Sequence, residues 1–237
     1  MKVDEIKTII VLEGINGCGK STIAFNSEFH ERLTSNDKYS NILGCNGVSV
    51  FRCPGDGIPE VRNLIKEKDY TFNEYTCMNL SLADMNELVI EGIRPALKNH
   101  RIVILDRCFH STFVYQNFHI NGIKSSDIIT NNVMNIFGKD LLDKMITFIL
   151  DIPYEVSKQR RDFVGTIDRF EEEFDEDSSS KIFFNEKRFL YLNLLTPSKT
   201  AKKVLKDVFV LDGTVDINQN ISNILSYLDI VNSPRSI

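Results

Sequence analysis

The stretch EGINGCGKST, Glu13–Thr22, decides the fold class. Gly14, Ile15, Asn16, Gly17, Cys18, Gly19, Lys20 and Ser21 fit the spacing G-x-x-x-x-G-K-[ST] in full. Glycine reaches backbone angles closed to other residues and leaves room for close approach. Successive N–H groups of such a loop surround a phosphate at the positive end of the helix that follows. Gly14 to Thr22 are therefore the expected residues for a nucleotide's phosphates, with Lys20 reaching the β- and γ-phosphates and Ser21 ligating Mg²⁺.

Both flanks suit that loop. KTIIVLEG before it is a β-branched run, expected as a buried parallel strand. KSTIAFNSEFHERL after it places Ile23, Ala24, Phe25, Phe29 and Leu33 at helical spacing and predicts one helix. Further strands are expected at GVSVFR, RIVILD, KMITFILD and KDVFVLD, and a long helical region, interrupted near Pro95, at FNEYTCMNLSLADMNELVIEGIRPALKNH. Strands alternating with helices predict an α/β fold, a five-stranded parallel sheet with helices on both faces. NFHINGIKSSDIITNN reads as a polar loop that turns helical toward VMNIFGK, FEEEFDEDSSSK as a solvated helix start, and VNSPRSI as a frayed tail.

The 237 residues show no internal repeat or linker, so one domain over the whole chain is expected, with a short lid at about residues 158–172. A net charge of -5 and the lack of a basic stripe disfavour long nucleic acid as a partner. The five cysteines, odd in number and scattered, do not read as a disulfide framework, which points to a reducing compartment, and no pair has zinc-ligand spacing. MKVDEIKTIIVLEG is neither a signal peptide nor a membrane span, so a soluble, cytoplasmic protein is expected. His30, His100, His110 and His119 have no metal or triad spacing and read as surface or helix-end residues.

A phosphate loop leaves the reaction open, because GTPases, motors, transporters and small-molecule kinases all carry one. Asp106 ends the strand RIVILD at the sheet's carboxyl edge, where it can hold Mg²⁺ through water. Arg107 follows it, and Arg52 ends GVSVFR on the same rim; two arginine forks beyond the loop suggest a second phosphate-bearing substrate. Arg160 and Arg161 precede a glycine turn, with Asp168 and Arg169 after it. That arginine-bearing flap is the expected source of positive charge on a migrating phosphoryl group. Asp212-Gly213-Thr214 lies beside a nucleotide's adenine or forms an ordinary strand-to-helix turn; the pattern leaves both open.

These residues, in this order, resemble the thymidylate kinase family. The resemblance runs from IIVLEGINGCGKST through FRCPGDGIPEVRNLI, IRPAL and IVILDRCFHSTFVYQ to DRFEEE and VLDGTVDI. It implies a homodimer that transfers the γ-phosphate of ATP-Mg²⁺ to dTMP, giving dTDP. It assigns ATP's phosphates to Gly14 through Thr22, the acceptor phosphate to Arg52 and Arg107, the acceptor base to Gln116, and stabilisation of transfer to the lid arginines. Glu13 occupies the family's acidic position before the loop. The chain departs from the family's usual pattern at Cys53, Cys108 and Asn16, where glutamate, an aromatic or histidine, and aspartate are usual.

Two further departures concern the base. The family's base-contacting arginine falls on Met85 and its stacking aromatic near Ser81, and Phe72, Tyr75 and Tyr115 are candidate replacements for the stacking. Loss of such a contact costs about 1.5–3 kcal/mol, roughly ten- to hundred-fold in affinity. Acceptors other than dTMP, such as dUMP or a modified deoxyuridylate, therefore stay open, as do a deoxynucleoside kinase and a non-catalytic nucleotide-binding protein.

Overall fold

The structure is a computed structural model that describes residues 6–37, 39–40, 44–66, 72–164 and 178–232. Five parallel strands, β1 (Ile9–Glu13), β2 (Val48–Arg52), β3 (Ile102–Asp106), β6 (Met145–Asp151) and β7 (Val208–Asp212), lie in the order β2-β3-β1-β6-β7. All five predicted strands are present. The register puts Leu12 beside Asp106 and beside Phe148, and Arg52 beside Asp106. The strand ends that carry the loop, Asp106 and Arg52 thus share one edge.

Strand alternation explains why β1 and β3 read as unbroken apolar runs. Ile9, Val11, Val103 and Leu105 belong to one buried cluster, and Ile10, Leu12, Ile102 and Ile104 to another. Successive side chains point to opposite faces, and here both faces are covered. β1 and β3 are neighbours whose connections run to opposite edges of the sheet. Ligands of open α/β sheets bind at such a switch point, beyond the carboxyl ends of the strands.

The helix expected after the loop is two. α1 (Lys20–Ala24) stops at Phe25, and α2 (Ser27–Thr34) restarts because the Asn26 side chain accepts from the Phe29 N–H at 2.8 Å. α3 is Pro59–Lys66 and α4 is Glu74–Glu87. The predicted interruption near Pro95 is a π-helical stretch, Leu88–Ile93, leading into the short α5, Arg94–Lys98.

α6 (Phe109–Tyr115) follows β3. The segment read as a polar loop is more ordered than expected. β4 (His119–Ile120) and β5 (Ile123–Lys124) form a hairpin, and α7 begins at Ser125 and runs to Leu142. Asn121 and Gly122, both at positive φ, make its turn, and the Ser125 hydroxyl accepts from the Phe118 N–H at 3.0 Å.

α8 (Tyr154–Val164), α9 (Ser178–Asn193) and α10 (Ile217–Val231) complete the helices named here. The expected glycine turn, Asp168, Arg169, most of the acidic run and residues 233–237 of the tail lie outside the described residues.

Of the histidines expected at the surface or at helix ends, His110 does lie at the start of α6, but it is buried there. It is 1% exposed, stacked on Phe109 at 4.2 Å, with Nε2 3.1 Å from the Thr147 hydroxyl. α6 points it into the sheet, and burial lowers its pKa to about 3.

Candidate active site

The loop between β1 and α1 is held against the rest of the sheet by two close approaches. A Cβ on Gly14, at φ +132°, would stand 2.5 Å from the Leu150 carbonyl oxygen. One on Gly17, at φ +78°, would stand 3.0 Å from that of Ser157. Both positions require glycine for space as well as for conformation. On the far side the Ser157 hydroxyl donates to the Asn16 carbonyl at 2.8 Å, which ties α8 to the loop.

Beside the loop opens a cavity of about 970 Å³, lined by residues 16–22 together with Asp106, Arg107, Gln116, Arg160 and Arg161. Lys20 is 5% exposed and donates to the Ile15 carbonyl at 2.9 Å, with the Cys18 sulfur at 3.3 Å. Burial, then the Arg107 charge, lowers its pKa. The Ser21 hydroxyl donates to Asp106 Oδ2 at 2.6 Å.

That pair fits a hard cation, since both are oxygen donors at the cavity wall. Among the described residues no group of three His, Cys, Asp or Glu gathers at one point. A cation held by Ser21 and Asp106 would fill its remaining positions with phosphate oxygens and water, as Mg²⁺ favours.

Arg107 is the most constrained of the arginines. Its φ of 71° turns the chain at the end of β3, and its N–H donates to the Leu12 carbonyl at 3.0 Å. Nη1 donates to the Gly14 carbonyl at 3.1 Å, the Ser111 hydroxyl at 3.0 Å and the Tyr191 hydroxyl at 2.9 Å, and Nη2 donates to Asn16 Oδ1. Behind it lies Glu13, fully buried. Its carboxylate accepts from the Cys108 N–H at 2.7 Å, the Ser111 hydroxyl at 2.7 Å and the Tyr191 hydroxyl at 3.3 Å. Burial raises the Glu13 pKa, and the Arg107 charge is the largest influence against it.

Arg160 donates to the Gly213 carbonyl at 2.9 Å and to that of Gly17 at 3.3 Å, and Arg161 donates through Nε to the Ser157 hydroxyl at 3.3 Å. Two of the expected substrate residues stand outside the cavity wall. Glu13 lies beneath it. Arg52 is exposed on the rim, its guanidinium carbon 4.5 Å from the centre of the Phe25 ring.

The family model for thymidylate kinase matches residues 12–207, a span that holds the loop, the Ser21–Asp106 pair and the arginines of the cavity wall. The chain belongs to the thymidylate kinase family. It is 29% identical over 223 residues to the thymidylate kinase of Thermosipho africanus, spanning 93% of this chain and 96% of that one. With the thymidylate kinase of Brachyspira hyodysenteriae it shares 30% identity over 84% of this chain and 90% of the other. With that of Buchnera aphidicola subsp. Baizongia pistaciae it shares 34%, over 83% and 84%. Family membership makes the chain a phosphotransferase with thymidylate kinase activity, dTMP to dTDP.

Within that family frame, the departures separate into two kinds. Ser81 lines the cavity, whereas Met85 is 1% exposed and packed in the core. Tyr115 reaches the cavity, but Phe72 and Tyr75 do not line it; Tyr75 packs edge-on against Phe118 at 6.3 Å. Cys53 and Cys108 are both buried, and the hydrogen bond between their thiols, followed by burial, pushes the Cys53 pKa well up. Gly213 lines the cavity and also belongs to a turn, in which the Thr214 N–H donates to Asp212 Oδ1 at 2.8 Å.

Sequence reasoning missed Arg62 and Thr112 on the cavity wall, and Asp84, Ser157 and Tyr191 behind it. Asp84 is fully buried and accepts from the Gly55 N–H at 3.0 Å and the Ile58 N–H at 2.6 Å, which shapes the turn after β2. Tyr191 comes from α9, 178 positions after the glutamate it bonds, and no local pattern marks it.

Proposed function

We propose that the cavity carries out the transfer with ATP on the loop and dTMP beside it, the residues acting as follows. Backbone N–H groups of residues 16–22 and Lys20 hold the β- and γ-phosphates. An acceptor phosphate oxygen forms the new bond to the γ-phosphorus as the bond to the β,γ-bridging oxygen breaks, leaving ADP. That oxygen is already ionised, so no general base is needed, and the work is positioning and charge neutralisation. Arg107 orients the acceptor phosphate, with Arg52 approaching from the rim. Arg160 and Arg161 face the migrating group. Gln116 faces the base.

Ser21 and Asp106 are the residues that would hold Mg²⁺, which supplies charge neutralisation at the β- and γ-oxygens when bound. We further propose a homodimer in the cytoplasm. Among the described residues no helix is long and apolar enough to cross a membrane.

The observation that carries this reading is that one cavity is lined by the loop, Lys20, the Ser21–Asp106 pair and four arginines, Arg62 from α3, Arg107 from the end of β3, and Arg160 and Arg161 from α8. The test is ADP release from ATP-Mg²⁺ against dTMP, dUMP, dCMP and thymidine, with products identified by mass. Selective formation of dTDP is expected. Phosphorylation of thymidine alone, or ATP binding without transfer, would overturn it.

A further inference from the structure

Away from the phosphate loop the cavity is walled by three helices. Arg62 and Ile65 of α3, Ser81 of α4, Thr112 and Tyr115 of α6, and Gln116 just after it line the cavity. α3 is fixed there from its N-terminal side. A Cβ on Gly57 would lie 2.0 Å from the Asp84 carbonyl oxygen, so the turn after β2 sits directly on α4. The Asp84 carboxylate holds the same turn through the Gly55 and Ile58 N–H groups.

Arg62 is held in turn. Its stem crosses Gly55, where a Cβ would stand 2.8 Å from Cδ, and its Nη1 donates to the Pro54 carbonyl at 3.0 Å. Among the described residues that is its one hydrogen bond, and no carboxylate pairs with it. A guanidinium has five N–H donors and no acceptor. It lines the cavity with its carbon stem fixed, and among the described residues most of its donors are unused and its charge is unanswered. Met85, in the core, brings no polar group to this wall, and Ser81 is small enough to leave room in front of α3.

We propose that Arg62 is the residue that determines acceptor specificity, donating to the ring carbonyl of a pyrimidine monophosphate in the space that Ser81 leaves open. The inference rests on the phosphoryl-transfer reading above and goes further by naming what reads the base. A donor-only group favours a carbonyl at the pyrimidine 4-position, as in dTMP and dUMP. It opposes the amino group that dCMP carries there. Gln116, which can both donate and accept, suits the ring N–H beside that carbonyl.

The test compares the wild type with Arg62→Met, which keeps the stem and removes the donors, and with Arg62→Lys. kcat and KM are measured for dTMP, dUMP and dCMP, with KM for ATP and the thermal midpoint as controls. Equilibrium binding of dTMP and dCMP is measured by calorimetry, so that recognition is read even where transfer is not. In Arg62→Met the KM for dTMP and dUMP is expected to rise about ten- to hundred-fold. KM for dCMP, KM for ATP and the thermal midpoint should stay near wild type. Arg62→Lys should recover part of the preference.

An equal loss on all three acceptors would place Arg62 at the phosphate or in the fold and overturn the proposal, and so would no change. A wild type that binds dTMP and dCMP alike would also overturn it. Failure of the transfer reading looks different. The wild type would turn over no pyrimidine monophosphate, while a calorimetric preference for dTMP that disappears in Arg62→Met would still uphold the role of Arg62.

Discussion

Replacing Tyr191 by phenylalanine tests whether Arg107 is aimed by the chain before any substrate arrives. The change removes one oxygen that accepts from Arg107 at 2.9 Å, lies 2.9 Å from the Ser111 hydroxyl and donates to Glu13 at 3.3 Å. Arg107 keeps its bonds to Gly14, Ser111 and Asn16, and Glu13 keeps those to Cys108 and Ser111. The ring stays in place, since it is buried and packs edge-on against Tyr115 at 6.3 Å.

A hydrogen bond to a charged group contributes about 1.5–3 kcal/mol, and here it serves two buried charged groups at once. Urea unfolding should therefore show a loss of about 2 kcal/mol. In kinetics, a guanidinium aimed by one bond fewer should cost kcat/KM for the acceptor about ten-fold, with KM for ATP unchanged. Wild-type kcat/KM in Tyr191→Phe, or an equal loss toward ATP, would refute the idea that α9 aims Arg107.

Other perturbations give outcomes of different kinds. Lys20→Ala should lower kcat at least about hundred-fold in steady-state assays, because it removes charge from the reacting phosphates. Its unfolding midpoint should not fall, since burial and Arg107 already disfavour the charged lysine; near-normal turnover would remove Lys20 from the mechanism. His110, with a folded pKa of about 3 against about 6.5 unfolded, favours the fold in its neutral form. That contribution is full above pH 6.5 and is lost as pH falls, by about 2 kcal/mol at pH 5. Glu13 and Asp84, with raised pKa values, act in the opposite sense.

The stability difference between wild type and His110→Asn, measured in urea, should thus shrink by about 2 kcal/mol from pH 7 to pH 5. A growing difference would mean that His110 charges against Glu13, 3.9 Å away. For the cysteines, alkylation followed by mass spectrometry at pH 8 should label Cys45, which is part-exposed, well before Cys53, whose thiol is buried and pushed up. Equal labelling would contradict the buried thiol pair.

The phosphate loop was legible because its chemistry is local: glycines, lysine and serine at fixed spacing between a strand and a helix. Asp106 and Arg107 were legible because a strand's end fixes where its last residues lie. The break at Asn26 was hidden by apolar spacing that continues through it, although an asparagine before Ser27-Glu28 is itself a capping signal. The Asn121-Gly122 turn was readable in the same way, but the polar residues around it outweighed it.

What could not be read was contact between distant elements. Asp84 folds the turn after β2 from a helix 26 residues away, and Tyr191 meets Glu13 across most of the chain. Arg62 carries no motif of its own; its place depends on Gly55 and Gly57 letting α3 lie against α4. His110 has no spacing that marks a place for it, and only the packing of α6 on the sheet shows that it points inward.

The central claim is that the γ-phosphate of ATP passes directly to the phosphate of dTMP in this cavity. The most direct measurement is a rapid-quench turnover with ATP labelled at the γ-phosphate, Mg²⁺ and dTMP, with Lys20→Ala as the blank. The label should appear in dTDP, at its terminal phosphate, with ADP formed in equal amount and almost none in the blank. Label released only as inorganic phosphate, or dTDP formed equally well by Lys20→Ala, would contradict the account.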